Sequence, residues 1–224
     1  MDTPADRSAG VIETFDVALA HGVTLSCRGA GQVGAPRVLL LHGFPEAAFV
    51  WDEVMLRLAG RAHCLAPNQR GYASSSAPPD PQAYRAKHLM ADLVALIEHQ
   101  GAPVDLVVAH DWGGALAWNL AAQRPELLKR LLIINSPHPA CFLRELRDNP
   151  AQQAASRYMN FFTRPDAQAR LAADDYASLW PFLTAPAGAD WLDDAMRERY
   201  RAVWARGLTG PLNWYRASPL RPPV

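Results

Sequence analysis

The sequence predicts an α/β fold, a mostly parallel doubly wound sheet with an all-helical lid, and three observations predict it. Short apolar runs alternate with helical patterns through roughly the first 139 of 224 residues, the rhythm of a parallel sheet. After Pro139 only helical signals remain, broken at Pro150, Pro165, Pro181 and Pro186 and rich in aromatics. Between them, Val104-Asp-Leu-Val-Val-Ala-His-Asp-Trp-Gly-Gly114 is an apolar run that stops at a polar residue set among small ones.

Two short strands near Thr14–Leu19 and Thr24–Arg28 read as an antiparallel start joined by His21-Gly22. Arg37–Leu41 is apolar beyond its first residue and reads as a strand buried on both faces, followed by a helix near Phe49–Leu58. Ala62–Ala66 is the next strand. The loop Pro67–Pro81, rich in Pro, Ser and Gly, leads to a helix over Tyr84–Gln100. Leu89, Leu93, Leu96 and Ile97 recur there at threes and fours, giving it one buried face. The strand ending near His110 and a helix over Gly113–Gln123 follow, stopped by Pro125. Lys129–Asn135 is one more buried strand. An all-helical block after a strand of an open sheet reads as a lid inserted over the carboxyl ends of the strands, where ligands bind. The expected organisation is therefore a core over 1–139, a lid over 140–209 and a return segment over 210–224, read as turn-like and proline-rich.

Composition excludes several classes of function. Lys plus Arg and Asp plus Glu number 22 each, which leaves no electrostatic case for nucleic acid or an anionic membrane. The start, Met1–Arg7, is polar and lacks the apolar stretch of a signal peptide. No apolar run approaches the roughly 18 residues that span a bilayer. Cys27, Cys64 and Cys141 are odd in number, scattered, and without metal-ligand spacing, as expected of reduced thiols in the cytoplasm.

The chemistry is written around Asp111. Ala109 lies two residues before it, and Gly113 and Gly114 two and three after. This is the spacing of a nucleophile elbow, a strand-to-helix turn too tight for side chains at the flanking positions. Asp stands where esterases carry Ser, and a carboxylate there attacks carbon to form an ester with the enzyme. Taken alone, Asp111 reads equally well as the N-cap of the helix that follows. A second motif favours the nucleophile. Arg37–Leu41 runs into His42-Gly43-Phe44-Pro45, where this architecture places an oxyanion-hole donor. The backbone N–H of Phe44 would pair with that of Trp112, with Gly43 permitting close approach and Pro45 fixing the turn.

Taken together, the segments resemble the epoxide hydrolases of the α/β-hydrolase superfamily, from about Phe15 to Pro222. His42-Gly43-Phe44-Pro45-Glu46 is similar to the family's oxyanion turn. Gln69-Arg70-Gly71-Tyr72 with Ser74–Ser76 is similar to its Arg-Gly-Tyr loop, although Asn68 and Ala73 replace the usual Asp and Gly. His110–Gly114 matches its elbow, and Asn135-Ser136-Pro137-His138-Pro139 its exit into the lid. Tyr158-Met159-Asn160-Phe161-Phe162 and Gly210–Arg216 are similar to the segments bearing the family's two epoxide-binding tyrosines. The resemblance implies that Tyr158 and Tyr215 donate to the epoxide oxygen while Asp111 attacks, since two phenols can stabilise and protonate the alkoxide. It further implies that His42, Pro45, His138 and Trp214 line the substrate site. No cofactor and no metal are implied. Trp180, Phe182, Trp191, Trp204 and Trp214 suggest a small apolar epoxide, aryl epoxides among the candidates.

The superfamily's order is nucleophile, acid, histidine, the last two on later strands. Two more strand–helix units need about 60 residues. Nine residues follow Tyr215, none of them His, Asp or Glu. The expectation is thus a hydrolase shortened at its C-terminus, equipped for attack but without the base that turns water on the ester. Leu131–Ile134 would then be an uncovered edge strand, inviting a homo-oligomer or a complementing C-terminal fragment. Two other readings are a haloalkane or haloacid dehalogenase, which shares the elbow and its Trp but not the tyrosines, and a non-catalytic remnant or half of a split protein.

Overall fold

A computed structural model describes residues 10–184, 188 and 190–223. The polar start at Met1–Arg7, the expected break at Pro186 and the terminal Val224 lie outside the described residues. By compactness the chain divides into two units. The first comprises residues up to Gln69 together with Leu89–Ser136, and the second Arg70–His88 together with Pro137–Val224.

Among the described residues, the first unit is built on six strands: β1 Glu13–Ala18, β2 Thr24–Ala30, β3 Arg37–Leu41, β4 His63–Pro67, β5 Leu106–His110 and β6 Leu131–Ile134. Their order in the sheet is β1-β2-β4-β3-β5-β6. β2 runs antiparallel to β1 and β4. The pairs β3–β4, β3–β5 and β5–β6 are parallel. The antiparallel start and the parallel centre therefore follow the sequence reading. The helix expected over Phe49–Leu58 is two pieces, a 3-10 turn over Ala48–Trp51 and α1 over Asp52–Leu58.

Strand β3 is fully internal in its last four residues, as its apolar run demands. Val38 and Leu40 join Trp51, Met55, Ala59, Cys64, Ala66 and Val108 in one cluster, which α1 covers. Leu39 and Leu65 meet Leu96 and Ile97 of α2, Ala86–His99, around a small cavity. Leu89, Leu93, Leu96 and Ile97 are all buried, so the helical repeat read from sequence marks the packed face. β6 lies at the end of the strand order, and Leu132 and Ile134 are 47% and 37% exposed. The expected edge is present.

The second unit is helical: α4 Pro139–Asp148, α5 Pro150–Ala155, α6 Arg157–Phe162, α7 Ala167–Tyr176, α8 Trp180–Thr184, α9 Asp194–Trp204 and α10 Thr209–Ala217. Among the described residues, no helix is long and apolar enough to cross a membrane. One expectation fails here. By sequence Gly210–Val224 is turn-like, yet α10 occupies Thr209–Ala217. Pro211 sits in the first turn, where its missing N–H has no intrahelical partner to lose. Burial of Leu212, Asn213, Trp214 and Tyr215 then holds the helix against Gly71 and Tyr84, and tertiary packing overrides local propensity. Trp214 Nε1 donates to the Arg70 carbonyl at 2.9 Å, and Asn213 Nδ2 to that of Pro79 at 3.2 Å. These bonds tie the segment Arg70–His88 to α10.

The contrast between β3 and β6 gives a stability test. Leu40→Ala, at a site with 0% exposure, should cost about 2–5 kcal/mol in urea unfolding. Leu132→Ala at the edge should cost under about 1 kcal/mol. Equal costs would contradict the described difference in packing.

Candidate active site

β5 ends at His110, and α3, Asp111–Gln123, begins on the next residue. Asp111 has φ of 50°, in the left-handed region, where a non-glycine residue costs on the order of 1–3 kcal/mol and Asp is among the better tolerated. The turn closes because its neighbours are small. A Cβ built on Gly43 would lie 2.3 Å from the Asp111 Cβ and Oδ1. One on Gly113 would lie 2.6 Å from the His42 carbonyl, and one on Gly114 2.4 Å from Ser136 Cβ. Ala109 is fully buried. All four small positions singled out by sequence are packed against this turn.

Both backbone donors named from sequence converge on the Asp111 carboxylate. The Phe44 N–H donates to Oδ1 at 2.8 Å, and the Trp112 N–H donates to the same group. The Phe44–Pro45 peptide is cis, and both residues are buried. Ser136 Oγ donates to the Asp111 carbonyl oxygen at 2.8 Å, and the Gly113 N–H to that of His42 at 3.1 Å. The side chain is therefore not the N-cap of α3 that the simpler reading offered: His110 occupies that position. Burial raises the Asp111 carboxyl above its ordinary 3.8, opposed by the bonds from Phe44 and Trp112 and by the nearby His110. It is desolvated yet held by two N–H groups.

His42 is completely buried and fixed as one tautomer. The Gln69 N–H donates to Nε2 at 3.1 Å, so the proton sits on Nδ1 and points to the Gly43 carbonyl at 3.0 Å. Gln69 Nε2 also donates to the His42 carbonyl at 2.6 Å. Burial drives the imidazole down to about 4, chiefly by desolvation, so it stays neutral and shapes the Phe44 turn from behind.

His110 Nδ1 lies 3.0 Å from Glu46 Oε2. Desolvation opposes the His110 cation, but the Glu46 carboxylate prevails and the group titrates above its usual 6.5. Glu46, His110, Ser136 and Gln69 lie inside the sequence motifs, but no local pattern assigns them a role. Their signal was positional: each lies within two residues of Asp111, of the oxyanion turn, or of the end of a neighbouring strand.

In the second unit, Tyr158 on α6 and Tyr215 on α10 are brought together, their ring centroids 6.4 Å apart at an interplanar angle of 77°. Fully buried Phe162 touches both edge-on, at 5.3 Å and 4.9 Å. Tyr215 is buried and Tyr158 half-buried. Trp214, beside Tyr215, is buried edge-on to Tyr72 at 6.0 Å. His138 is exposed and caps α4, its Nδ1 accepting from the Ala140 N–H at 3.2 Å.

A model of the alpha/beta hydrolase fold family matches residues 36–186. An epoxide hydrolase of Caballeronia sordidicola is 32% identical over 250 residues, covering 97% of this chain and 73% of that protein. The chain belongs to the epoxide hydrolases of the α/β-hydrolase fold. The AB hydrolase superfamily protein YfhM of Bacillus subtilis (strain 168) is 36% identical over 201 residues, 88% of this chain and 70% of that protein. Among solved structures, an epoxide hydrolase from metagenomes of hot environments superposes with a TM-score of 0.85 at 33% identity, covering 95% of this chain and 72% of its own. Of mouse epoxide hydrolase 4 the match spans 54%. Membership of the epoxide hydrolases agrees with the turn chemistry: the two small-residue turns meet around a carboxylate rather than a hydroxyl.

Desolvation of Asp111 has a thermodynamic sign. A carboxyl raised in the folded state binds its proton more tightly there than when unfolded, so stability falls as pH rises from about 3.8 through the folded value and stays lowered at neutral pH. Asp111→Asn keeps an acceptor for Phe44 and tolerates positive φ. It should therefore melt higher than the unsubstituted chain at pH 7, with the gain shrinking as the pH falls through the folded value and absent below about 3.8. An unchanged or lowered melting temperature at pH 7 would contradict this account of the turn.

Proposed function

We propose that this chain opens epoxides by nucleophilic attack of Asp111, with Tyr158 and Tyr215 as acids. The observation that carries the proposal is the Asp111 carboxylate at positive φ, held on Oδ1 by the Phe44 N–H. A carboxylate so fixed presents Oδ2 to an electrophilic carbon and loses little orientational freedom on reaction. A carbon–oxygen bond forms from Oδ2, the epoxide C–O bond breaks, and its electron pair goes to the ring oxygen. A phenol then supplies the proton, giving a hydroxyalkyl ester on Asp111. As negative charge leaves the carboxylate, Phe44 and Trp112 remain on the ester carbonyl oxygen. They are then positioned for the oxyanion that forms when water attacks the ester to release the diol.

The paired tyrosines support the choice of epoxide over alkyl halide, since a halide leaves without a proton and an alkoxide does not. The aromatic surroundings of Tyr158 support an apolar, aryl-bearing substrate. His42, Pro45, His138 and Trp214 enter this reading as lining residues. His42 and Trp214 are buried and act through backbone they hydrogen-bond, and exposed His138 is the one placed to meet solvent. The reading places the protein in the cytoplasm, and the exposed edge at Leu132 and Ile134 supports self-association or a complementing segment.

Incubation with styrene oxide, followed by acid quench, digestion and mass measurement, tests the proposal. The expected result is substrate mass on the peptide containing Asp111, or diol release, and neither with Asp111→Asn. Tyr158→Phe and Tyr215→Phe should each slow ester formation by about 10–100-fold. Folded protein that gives neither ester nor diol would overturn the reading.

A further inference from the structure

The ring of Phe182 is 39% exposed on the five-residue helix α8. Its partners are the tyrosine and phenylalanine of α6. Its centroid lies 5.3 Å from that of Tyr158, edge-on at 73°, and 5.5 Å from that of Phe162. Phe162 in turn lies 5.3 Å from Tyr158 and 4.9 Å from Tyr215. The two tyrosines therefore differ in their support. Tyr215 is only 4% exposed, on a helix whose Leu212 and Trp214 are buried around it. Tyr158 is half-buried, on the six-residue helix α6, and its ring is flanked by Phe162 on the core side and Phe182 on the exposed side.

We infer that Phe182 is a positioning residue that acts through Tyr158, clamping the phenol ring against Phe162 and so fixing where its hydroxyl points. The proposal rests on the reading of Tyr158 as an acid for the epoxide oxygen and gives Phe182, named there only among the aromatics around an apolar substrate, a separate positioning role. Edge-on aromatic contacts are directional. With one removed, the ring gains a free side and its torsions broaden. A hydroxyl must lie within hydrogen-bonding distance of the oxygen it protonates, and a misplacement on the order of 1 Å can cost up to about 100-fold. Loss of the exposed clamp should thus appear in the rate of ring opening rather than in substrate binding or folding.

Single-turnover ester formation on Asp111, followed by quenched mass measurement over a range of styrene oxide concentrations, separates the limiting rate from the half-saturating concentration. Phe182→Ala should lower the limiting rate by about tenfold, leave half-saturation within about twofold and barely shift the melting temperature. Phe182→Trp, which retains an aromatic edge, should restore most of the rate. In a Tyr158→Phe background, Phe182→Ala should have no further effect on the rate. The inference is overturned if Phe182→Ala weakens half-saturation while sparing the limiting rate, which would make Phe182 a substrate contact. It is also overturned if the substitution slows the Tyr158→Phe chain as much as the parent. An unaltered rate in Tyr158→Phe, or no ester in the parent chain, removes the acid role itself and the inference with it. A slow Tyr158→Phe chain beside an unimpaired Phe182→Ala chain overturns the inference alone.

Discussion

Absence of side-chain volume around one strained residue governs the first unit. Asp111 can hold φ of 50° only where β5 passes into α3 within a single residue, and that requires backbone and side chains to approach more closely than a Cβ allows at Gly43, Gly113 and Gly114. The strain is offset by specific bonds: two N–H groups on the carboxylate, Ser136 on the carbonyl and Gly113 on His42. They come from the ends of three strands, β3, β5 and β6, so the turn is over-determined from several sides, the condition under which strained backbone persists. β3, β5 and β6 are in register precisely enough to deliver those ends together, Leu41 pairing with Ala109 and His110 with Ile134.

Two histidines shifted in opposite directions lie behind this turn. His42 has lost access to solvent and to its cation, and serves as a rigid spacer between Gln69 and Gly43. Glu46 beside His110 favours its cation against desolvation and lifts the group above its usual 6.5. The His110 cation favours the ionised Asp111 against desolvation, while Glu46 disfavours it. The Asp111 carboxylate thus sits in a field set by two residues from the two turns that enclose it.

Elements with a single strong physical signal were legible in the sequence. β3 at Arg37–Leu41 appears with the boundaries its apolar run gives, and the Leu89–Ile97 repeat of α2 marks its buried face. Asp111 and its small neighbours were legible because sterics leave few residue types that fit such a turn. What sequence hid was decided by distant partners. α10 forms although Gly210 and Pro211 open it, because its far turn is buried against residues more than 120 positions earlier. The Glu46–His110 pair spans 64 residues, and no local pattern announces it. The turn over Ala48–Trp51 is 3-10 rather than α-helical, a distinction that composition does not carry.

The ties from Asn213 and Trp214 to Pro79 and Arg70 bear on how such proteins can be recombined. Because Arg70–His88 belongs with the helical unit while its flanks belong with the sheet, the chain crosses between units at three places rather than one. A helical block excised from Pro137 onward would leave its own floor behind in the donor. Exchange of helical units between relatives therefore involves two separate segments, whose joining bonds survive the exchange of one only where the incoming backbone keeps the carbonyls of Arg70 and Pro79 in place and the donors of Asn213 and Trp214 are retained.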